Sequence, residues 1–283
     1  MHRSRDRNAP RTSSLPSATR PKVVATDLDG TLLRPDGSVS DRTRRVLQRL
    51  DHAGVRVIFV TARPPRWLAE LGDLAGSHGT AICMNGAAVY DFETATMTDV
   101  CGFELGALGS LVADLRTAIP GVALAVERLD GPVYDPTFAT EHPVPADLMR
   151  RRIEDTLSDD PAHTVGKLLA VLDGAPPLDF FARVEATVRS RAVLAYSGAV
   201  GLAEMTAPTV TKAAALARWC VSHGVAPRDV WAFGDMPNDL PMLGWAGRGV
   251  AVANAHPDVL AAADAVTASN VDGGVAAHLE HLL

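Results

Sequence analysis

The sequence predicts an α/β fold: a Rossmann-like three-layer core with a parallel sheet, plus an inserted smaller α/β domain. Short apolar runs alternate with helix-like segments at both ends of the chain, which is the pattern of parallel βαβ units. Several of these runs end in acidic or small polar residues, as strands do where a site lies at the carboxyl edge of a sheet. Between residues 88 and 200 the elements are shorter and no acidic strand end recurs. At about 100–200 residues per domain, the 283 residues allow two domains.

The first predicted strand is Val23–Thr26, a short β-branched run that follows Pro21 and ends in two acids, Asp27 and Asp29. Alternate residues of an extended segment point the same way, so both carboxylates can share one small site. Two carboxylates that close require a cation, or one of them takes up a proton. A calcium loop fits poorly, because its fifth position lacks an acid and no helix precedes it. An Asp-x-Asp pair alone is also compatible with a second interpretation, in which one acid caps a turn and the other is solvated.

A helix and a second strand complete the first parallel unit. Ser40 is a suitable N-cap for a helix over 41–52. The apolar run 55–60 is the second strand, and Thr61 follows it at the same predicted edge as Asp27. The next predicted elements are a helix over 65–75 and a third strand over 80–84, which ends in Asn85-Gly86-Ala87.

The chain returns to this pattern after the inserted region. A helix begins at Lys212, an apolar strand ends at Asp235, and Asn238 and Asp239 follow. A further strand over 249–253 and two short helices complete the chain. We therefore predict three regions: a disordered N-terminal tail over 1–20, a catalytic core made of 21–87 and 201–283, and an inserted domain over 88–200.

The amino-acid composition limits which binding partners and which cellular compartment we expect. A net charge of −6 argues against nucleic acid or an anionic membrane as the main partner. No apolar run approaches the ~20 residues that a membrane span needs, and the Arg-rich N-terminus has no apolar stretch of a secretory signal. Three scattered cysteines favour neither a disulfide framework nor a zinc site, so we expect a cytoplasmic protein.

The strand ends together supply acids, a lysine and small polar groups. Acids around a lysine suit Mg²⁺ and a phosphate, because Mg²⁺ prefers oxygen ligands and would neutralise the carboxylates beside an anionic substrate. Lysine is scarce, with three among the 27 lysines and arginines, so a lysine that persists indicates a need for its compact charge. The predicted set is Asp27, Asp29, Thr61, Lys212, Asp235, Asn238 and Asp239.

In order and spacing, these motifs resemble those of the haloacid dehalogenase (HAD) superfamily of phosphohydrolases, over nearly all of residues 22–283. The resemblance is closest to the Cof-type branch, whose C2B-like cap is inserted after the third strand. It implies that the inserted domain is this cap, which selects the substrate, whereas the core supplies the chemistry. The segments that carry it are Asp27-Leu28-Asp29-Gly30-Thr31, Thr61-Ala62-Arg63, Asn85-Gly86-Ala87, Lys212, Gly234-Asp235 with Asn238-Asp239, Gly249-Val250-Ala251-Val252-Ala253-Asn254-Ala255 and Asp272-Gly273-Gly274-Val275.

The resemblance also implies a role for each site residue. Asp27 would be the nucleophile that forms an aspartyl-phosphate, and Asp29 would protonate the leaving alcohol and then activate water. Mg²⁺ would be held by the side chains of Asp27 and Asp235 and the main-chain carbonyl of Asp29, with Asp239 supporting the metal shell. The groups that would bind the phosphate are the Leu28 and Ala62 amides, Thr61, Lys212 and Asn238.

The implied function is Mg²⁺-dependent hydrolysis of a phosphate monoester of a small metabolite, such as a sugar phosphate or a cofactor phosphate. Two alternatives use the same core. A phosphomutase differs in whether water reaches the aspartyl-phosphate, and a non-catalytic phosphate-binding regulatory module usually lacks one of the acids. The chain departs from the family at Ala62 and Ala213, where glycines are usual, and neither change removes a reactive group.

Three further polar residues near the motifs need an interpretation. Arg63 either binds an anion or braces its loop, and Asn85 is either a turn residue or a substrate contact. Lys167, on a predicted cap strand over 166–172, is interpreted as an exposed charge.

Overall fold

The computed structural model describes residues 20–76, 79–140, 144–145, 148–197 and 200–283. Its strands form two sheets within these ranges, one of eight strands and one of six. The predicted disordered tail lies outside the described residues except for Arg20. None of the helices in the described ranges has both the length and the apolar character of a membrane span.

Strands and helices alternate at both ends of the chain, as the apolar pattern predicts. The strands are β1 (Val23–Thr26), β2 (Arg56–Val60), β3 (Thr80–Cys83), β4 (Ala88–Asp91), β5 (Thr96–Thr98), β6 (Ala123–Arg128), β7 (Gly131–Tyr134), β8 (Met149–Arg150), β9 (Val165–Val171), β10 (Val193–Ala195), β11 (Leu202–Thr206), β12 (Val230–Gly234), β13 (Arg248–Val252) and β14 (Ala265–Thr267). The α-helices are α1 (Asp41–His52), α2 (Leu105–Ala118), α3 (Pro177–Val188), α4 (Lys212–Ser222), α5 (Leu240–Trp245), α6 (Pro257–Ala262) and α7 (Gly274–Leu279).

The first sheet is built on the predicted parallel core. Its strand order is β14-β13-β12-β1-β2-β3-β4-β5, and the pairs from β14 to β3 are all parallel. Thr26 at the end of β1 lies opposite both Phe59 and Phe233, so the residues after β1, β2 and β12 emerge at one edge. All four residues of β1 are buried, as expected for a strand at the centre of such a sheet. The predicted α/β fold is confirmed.

Two groups of helices pack with this sheet. Helix α1 packs against α7 and β2, whereas α4 packs against α5 and β3. As predicted, α1 begins after Ser40, whose hydroxyl accepts a hydrogen bond from the Thr43 amide at 3.1 Å. Its buried residues Val46, Leu47 and Leu50 recur at helical spacing, so one apolar face ties the helix to the core.

The second sheet has the order β10-β11-β9-β6-β7-β8 and is antiparallel except between β7 and β8. Sheet membership differs from the predicted boundaries at residues 88 and 200. Strands β4 and β5 extend the first sheet, where β4 pairs with β3 and so covers its free edge. Strand β11 pairs with β9 and β10 in the second sheet. We call the second sheet with α2 and α3 the cap, and the first sheet with the other helices the core.

The predicted α-helix over 65–75 is wrong in type. The chain instead forms two short 3-10 segments, Pro65–Trp67 and Ala69–Leu74. Gly72 lowers the helix propensity of this stretch, whereas Pro64 and Pro65 stand at the N-cap and the first position of the first segment, where proline is tolerated.

Candidate active site

Three acids meet where β1 and β12 end. Asp27 follows β1, Asp235 follows β12, and Asp239 lies in the 3-10 turn Pro237–Asp239. One carboxylate oxygen from each of the three lies within 4.8 Å of the others, and all three side chains are buried. The matched ends of neighbouring parallel strands account for this convergence.

Lys212 supplies the counter-charge of this cluster. It is the first residue of α4, whose N-cap Thr211 accepts a hydrogen bond from the Ala214 amide. Its Nζ atom lies 2.5 Å from Asp27 Oδ1 and 2.7 Å from Asp239 Oδ1, and only 3% of the residue is exposed. Burial lowers the pKa of Lys212, but Asp239 and Asp27 raise that pKa by more, so the net shift is upward and the ammonium form is favoured.

Both carboxylate oxygens of Asp239 are engaged by the protein. Oδ1 accepts from Lys212, and Oδ2 accepts from the main-chain N–H groups of Asp235 at 3.0 Å and Met236 at 3.2 Å. Gly234 makes room for this residue, since a Cβ there would lie 2.5 Å from Asp239 Cβ. Asp239 therefore orients Lys212 and the turn after β12, and its oxygens are already bound within the protein.

The residues present fit a divalent cation. Lys212 pairs with Asp27 and Asp239, and Asp235 adds a third buried carboxylate near the same ammonium group. Burial raises the pKa of Asp27 well above its ordinary value although Lys212 lowers it, and burial together with Asp239 raises the pKa of Asp235 to about 6. A cation that prefers oxygen ligands would relieve this excess of negative charge.

Gly30 provides space beside Asp235. Its φ is +79°, and a Cβ there would lie 2.3 Å from Asp235 Oδ2. The next residue, Thr31, donates from its hydroxyl to Asp235 Oδ1 at 2.8 Å. Only glycine satisfies both the backbone conformation and the close approach, so the first motif orients an acid more than 200 positions away in the chain.

Asp29 has a different environment from Asp27. Its carboxylate lies on the wall of a cavity, with 57% of the side chain exposed, and forms two hydrogen bonds of 2.8 and 2.6 Å with Arg63. Arg63 therefore braces Asp29, and this hydrogen bonding raises the pKa of the Arg63 guanidinium. Two acids with such different solvent access can take separate roles in one reaction.

The predicted phosphate-binding residues lie around the same edge of the sheet. Leu28 and Thr61 are fully buried, whereas Ala62, Lys212 and Asn238 line the cavity. The structure thus brings them together, and their contact with a phosphate stays a prediction.

The cavity has a volume of about 300 Å³ and lies between the core and the cap. The core contributes the acids, Lys212 and the loop around Ala62. Sequence reasoning missed the cap wall, because it depends on which strand faces meet the core. The cap residues on this wall are Glu127, Tyr134, Phe138, Thr140, Lys167, Leu169, Ser197, Leu202 and Glu204.

The interpretation of Lys167 as an exposed charge is wrong. The residue is 3% exposed, and its Nζ donates to the Ala62 carbonyl at 2.7 Å and pairs with Glu204 at 3.3 Å. The scarcity of lysine that singled out Lys212 applies equally to Lys167 and could have identified it. The interpretation of Asn85 as a turn residue is confirmed, because it is buried in the turn Met84–Gly86 with φ of 57°. Its side chain hydrogen-bonds to Glu204 and Asn238, and its contact with a substrate stays a prediction.

A family model described as haloacid dehalogenase-like hydrolase matches residues 24–279. The phosphoglycolate phosphatase of Methanopyrus kandleri is 30% identical over 263 residues, with 92% of this chain and 97% of the relative covered. The pyridoxal phosphate phosphatase YbhA of Escherichia coli is 28% identical over 286 residues, with 93% and 99% covered. The family model confirms the predicted superfamily, and the two relatives confirm the predicted enzyme class, a phosphatase.

The fold is also shared with solved structures. A haloacid dehalogenase-like hydrolase from B. subtilis superposes with a TM-score of 0.79 at 23% identity, over 93% of this chain and 100% of the other. This likeness shows that the two chains share a fold. The chain belongs to the haloacid dehalogenase-like hydrolase family.

Proposed function

We propose that this chain hydrolyses a phosphate monoester of a small metabolite with Mg²⁺, through an aspartyl-phosphate on Asp27. The observation that carries the proposal is the environment of Asp27. Its buried carboxylate lies 2.5 Å from Lys212 Nζ, within an acidic cluster that opens on the cavity between core and cap. The scattered free thiols of the chain agree with a cytoplasmic setting.

Mg²⁺ would be held by the side chains of Asp27 and Asp235 and by the main-chain carbonyl of Asp29. When bound, the ion supplies charge neutralisation, so that an anionic phosphate can approach an anionic nucleophile. Asp239 would keep Lys212 and the turn after β12 in place, which its fully engaged carboxylate supports.

The chain's own residues account for both half-reactions. Asp27 Oδ attacks phosphorus while the bond to the leaving oxygen breaks, and Asp29 donates the proton that this oxygen needs. Asp29, now a carboxylate, takes a proton from water as that water attacks the phosphoryl group, which frees Asp27. Because phosphoryl transfer depends mostly on positioning and charge, the remaining site residues bind the phosphate oxygens: Lys212, Thr61, Asn238 and the amides of Leu28 and Ala62.

A small phosphorylated metabolite is the substrate class that the cavity and the relatives favour. The volume of about 300 Å³ suits a small molecule, and the named relatives act on pyridoxal phosphate and phosphoglycolate. A phosphomutase would use the same residues, but would return the phosphoryl group to an acceptor in place of water.

The test is steady release of inorganic phosphate from p-nitrophenyl phosphate and from a panel of phosphorylated metabolites, with Mg²⁺ present. We expect many turnovers per enzyme with at least one metabolite. Transfer of the phosphoryl group to a sugar without phosphate release would establish a mutase, and phosphate binding without turnover would establish a regulatory module.

A further inference from the structure

Two buried cap residues of opposite charge reach into the core beside the cavity. Lys167 lies within β9 and Glu204 within β11, with 3% and 7% of each residue exposed. Lys167 Nζ donates to the Ala62 carbonyl at 2.7 Å and to Glu204 Oε2 at 3.3 Å. Glu204 Oε2 also accepts from Asn85 Nδ2 at 3.2 Å. Each of the two residues therefore joins the cap to a core loop.

A fifth residue completes a continuous chain of hydrogen bonds. Asn238 Nδ2 donates to Asn85 Oδ1 at 3.3 Å. We call this chain the cap relay; its members are Ala62, Lys167, Glu204, Asn85 and Asn238. Both of its ends, Ala62 and Asn238, are residues assigned above to phosphate binding.

At the first end, the relay fixes the orientation of one peptide group. The Arg63 amide donates to Thr61 Oγ1 at 3.0 Å, and the carbonyl of the same peptide, from Ala62, accepts from Lys167. With both polar groups held, this peptide cannot rotate without losing a hydrogen bond. The turn that presents Thr61 and the Ala62 amide is therefore set partly by a cap side chain.

At the second end, the relay fixes the orientation of a side-chain amide. The Glu204 carboxylate can only accept, so Asn85 must offer it Nδ2, and Asn85 Oδ1 is left to accept from Asn238. The second N–H of Asn238 Nδ2 and the Oδ1 atom of Asn238 must then point away from Asn85. That buried Oδ1 has no partner among the described residues, and Asn238 lines the cavity.

We propose that Lys167 and Glu204 are positioning residues for the phosphate site, so that seating of the cap on the core completes that site. The inference rests on the proposed function and assigns to the cap a role beyond substrate choice. Because the two side chains form an ion pair, they contribute no net charge to the acidic cluster. They act instead by orienting the main chain of the turn at Ala62 and the side-chain amide of Asn238.

The first test compares wild type with the double variant Lys167→Met/Glu204→Met, which removes both side-chain partners of the relay without leaving a buried charge unpaired. Affinity for inorganic phosphate is measured by calorimetry with Mg²⁺ present, and kcat/KM is measured with p-nitrophenyl phosphate and with an alkyl phosphate. We expect phosphate affinity and both kcat/KM values to fall by a common factor of ~10–100, the range typical for loss of groups that orient the ligands of a metal ion. Lys22→Met is the matched control, since Lys22 pairs with Asp229 on the surface and is 64% exposed.

A second variant, Asn85→Gly, removes the hydrogen bonds of Asn85 to Glu204 and to Asn238 and keeps the link between Lys167 and Ala62. Glycine adopts the left-handed conformation of Asn85, with φ of 57°, so the turn is kept. We expect a smaller loss of phosphate affinity than in the double variant, with a melting temperature close to that of wild type. This variant keeps the test decisive if the double variant does not fold.

Unchanged phosphate affinity in folded variants would overturn the inference. A loss with one substrate only would also overturn it, because that result assigns Lys167 to the leaving group. If wild type binds phosphate but does not turn over, the proposed function fails while the phosphate titration still decides the role of the relay. If wild type binds no phosphate, both fail.

Discussion

The core and the cap bring charged residues to the same cavity in opposite ways. In the core, Asp27 and Asp235 lie just beyond the ends of parallel strands, and the cluster of three acids has one lysine, which pairs with Asp27 and Asp239. In the cap, the charged residues lie within strands, where Glu127 on β6 is the register partner of Lys167 on β9. The core site is therefore short of positive charge and suited to a cation and a phosphate.

The charges of the cap, in contrast, are already paired. Glu204 pairs with Lys167, and Glu127 pairs with Arg66 of the core. Ion pairs without net charge can fix the positions of side chains around the cavity. The charges that act on the reacting groups are therefore those of the core. We therefore expect core substitutions to act on the chemical steps and cap substitutions to act on binding and on domain contact.

The largest expected effect is that of Asp27→Asn. The amide keeps the size of the side chain but cannot attack phosphorus, so we expect kcat to fall by at least ~10⁴-fold, as is typical when a nucleophile is removed. Phosphate release under saturating substrate measures this loss. Asp36→Asn, in an exposed turn, is the matched control and should leave kcat unchanged. Substantial turnover by Asp27→Asn would remove Asp27 from the role of nucleophile.

Removal of the metal should have an effect of similar size. Excess chelator should abolish turnover, and added Mg²⁺ should restore it, because the cluster lacks positive charge without an ion. Ca²⁺ should inhibit, since it accepts looser and higher coordination and would misplace Asp27. The melting temperature should also rise with Mg²⁺, because binding to the folded state alone stabilises it. Full activity in chelator would exclude the metal from the mechanism.

The contrast between core and cap also explains what could be predicted from the sequence. The acids at the ends of β1 and β12 could be found because chemistry requires particular residues at strand ends, and apolar runs locate those ends. Lys167 and Glu204 could not be assigned in the same way, because a residue within a strand faces either the solvent or another domain, and its own sequence neighbours do not decide which. Likewise, the apolar pattern at residues 65–74 predicts a helix but does not decide between α-helical and 3-10 hydrogen bonding.

Asp29→Asn should have a smaller effect than Asp27→Asn, and one that depends on the leaving group. The substitution keeps the main-chain carbonyl and removes the proton donor and base, a contribution of typically ~10²–10⁴-fold. A p-nitrophenolate needs little protonation to leave, so its first step should suffer less than that of an alkyl phosphate. The second step still needs a base, so a phosphoenzyme should accumulate with p-nitrophenyl phosphate, and rapid-quench labelling would detect it. Wild-type rates on an alkyl phosphate would show that Asp29 is not the acid.

The smallest expected effect on activity concerns the pair between Arg66 of the core and Glu127 of the cap. The Nη1 and Nη2 atoms of Arg66 both contact the Glu127 carboxylate, and Glu127 is 3% exposed, but neither residue belongs to the cap relay. Arg66→Met should therefore lower kcat/KM by less than ~10-fold, below the range typical for groups that orient the ligands of a metal ion, and should leave phosphate affinity unchanged.

The same pair should affect stability in a way that an exposed pair does not. Arg66→Met leaves Glu127 buried without a counter-charge, so the double variant Arg66→Met/Glu127→Gln should be more stable than the single one. In the core, Arg42 and Glu280 form a comparable two-point pair with side chains 45% and 33% exposed. There, Arg42→Met and Arg42→Met/Glu280→Gln should differ by less than ~1 kcal/mol in free energy of unfolding, because solvent screens surface pairs. Denaturant unfolding of the four variants measures both differences. If the Arg66 single and double variants were equally stable, Glu127 would not need its partner, and the cap wall would not depend on paired charges.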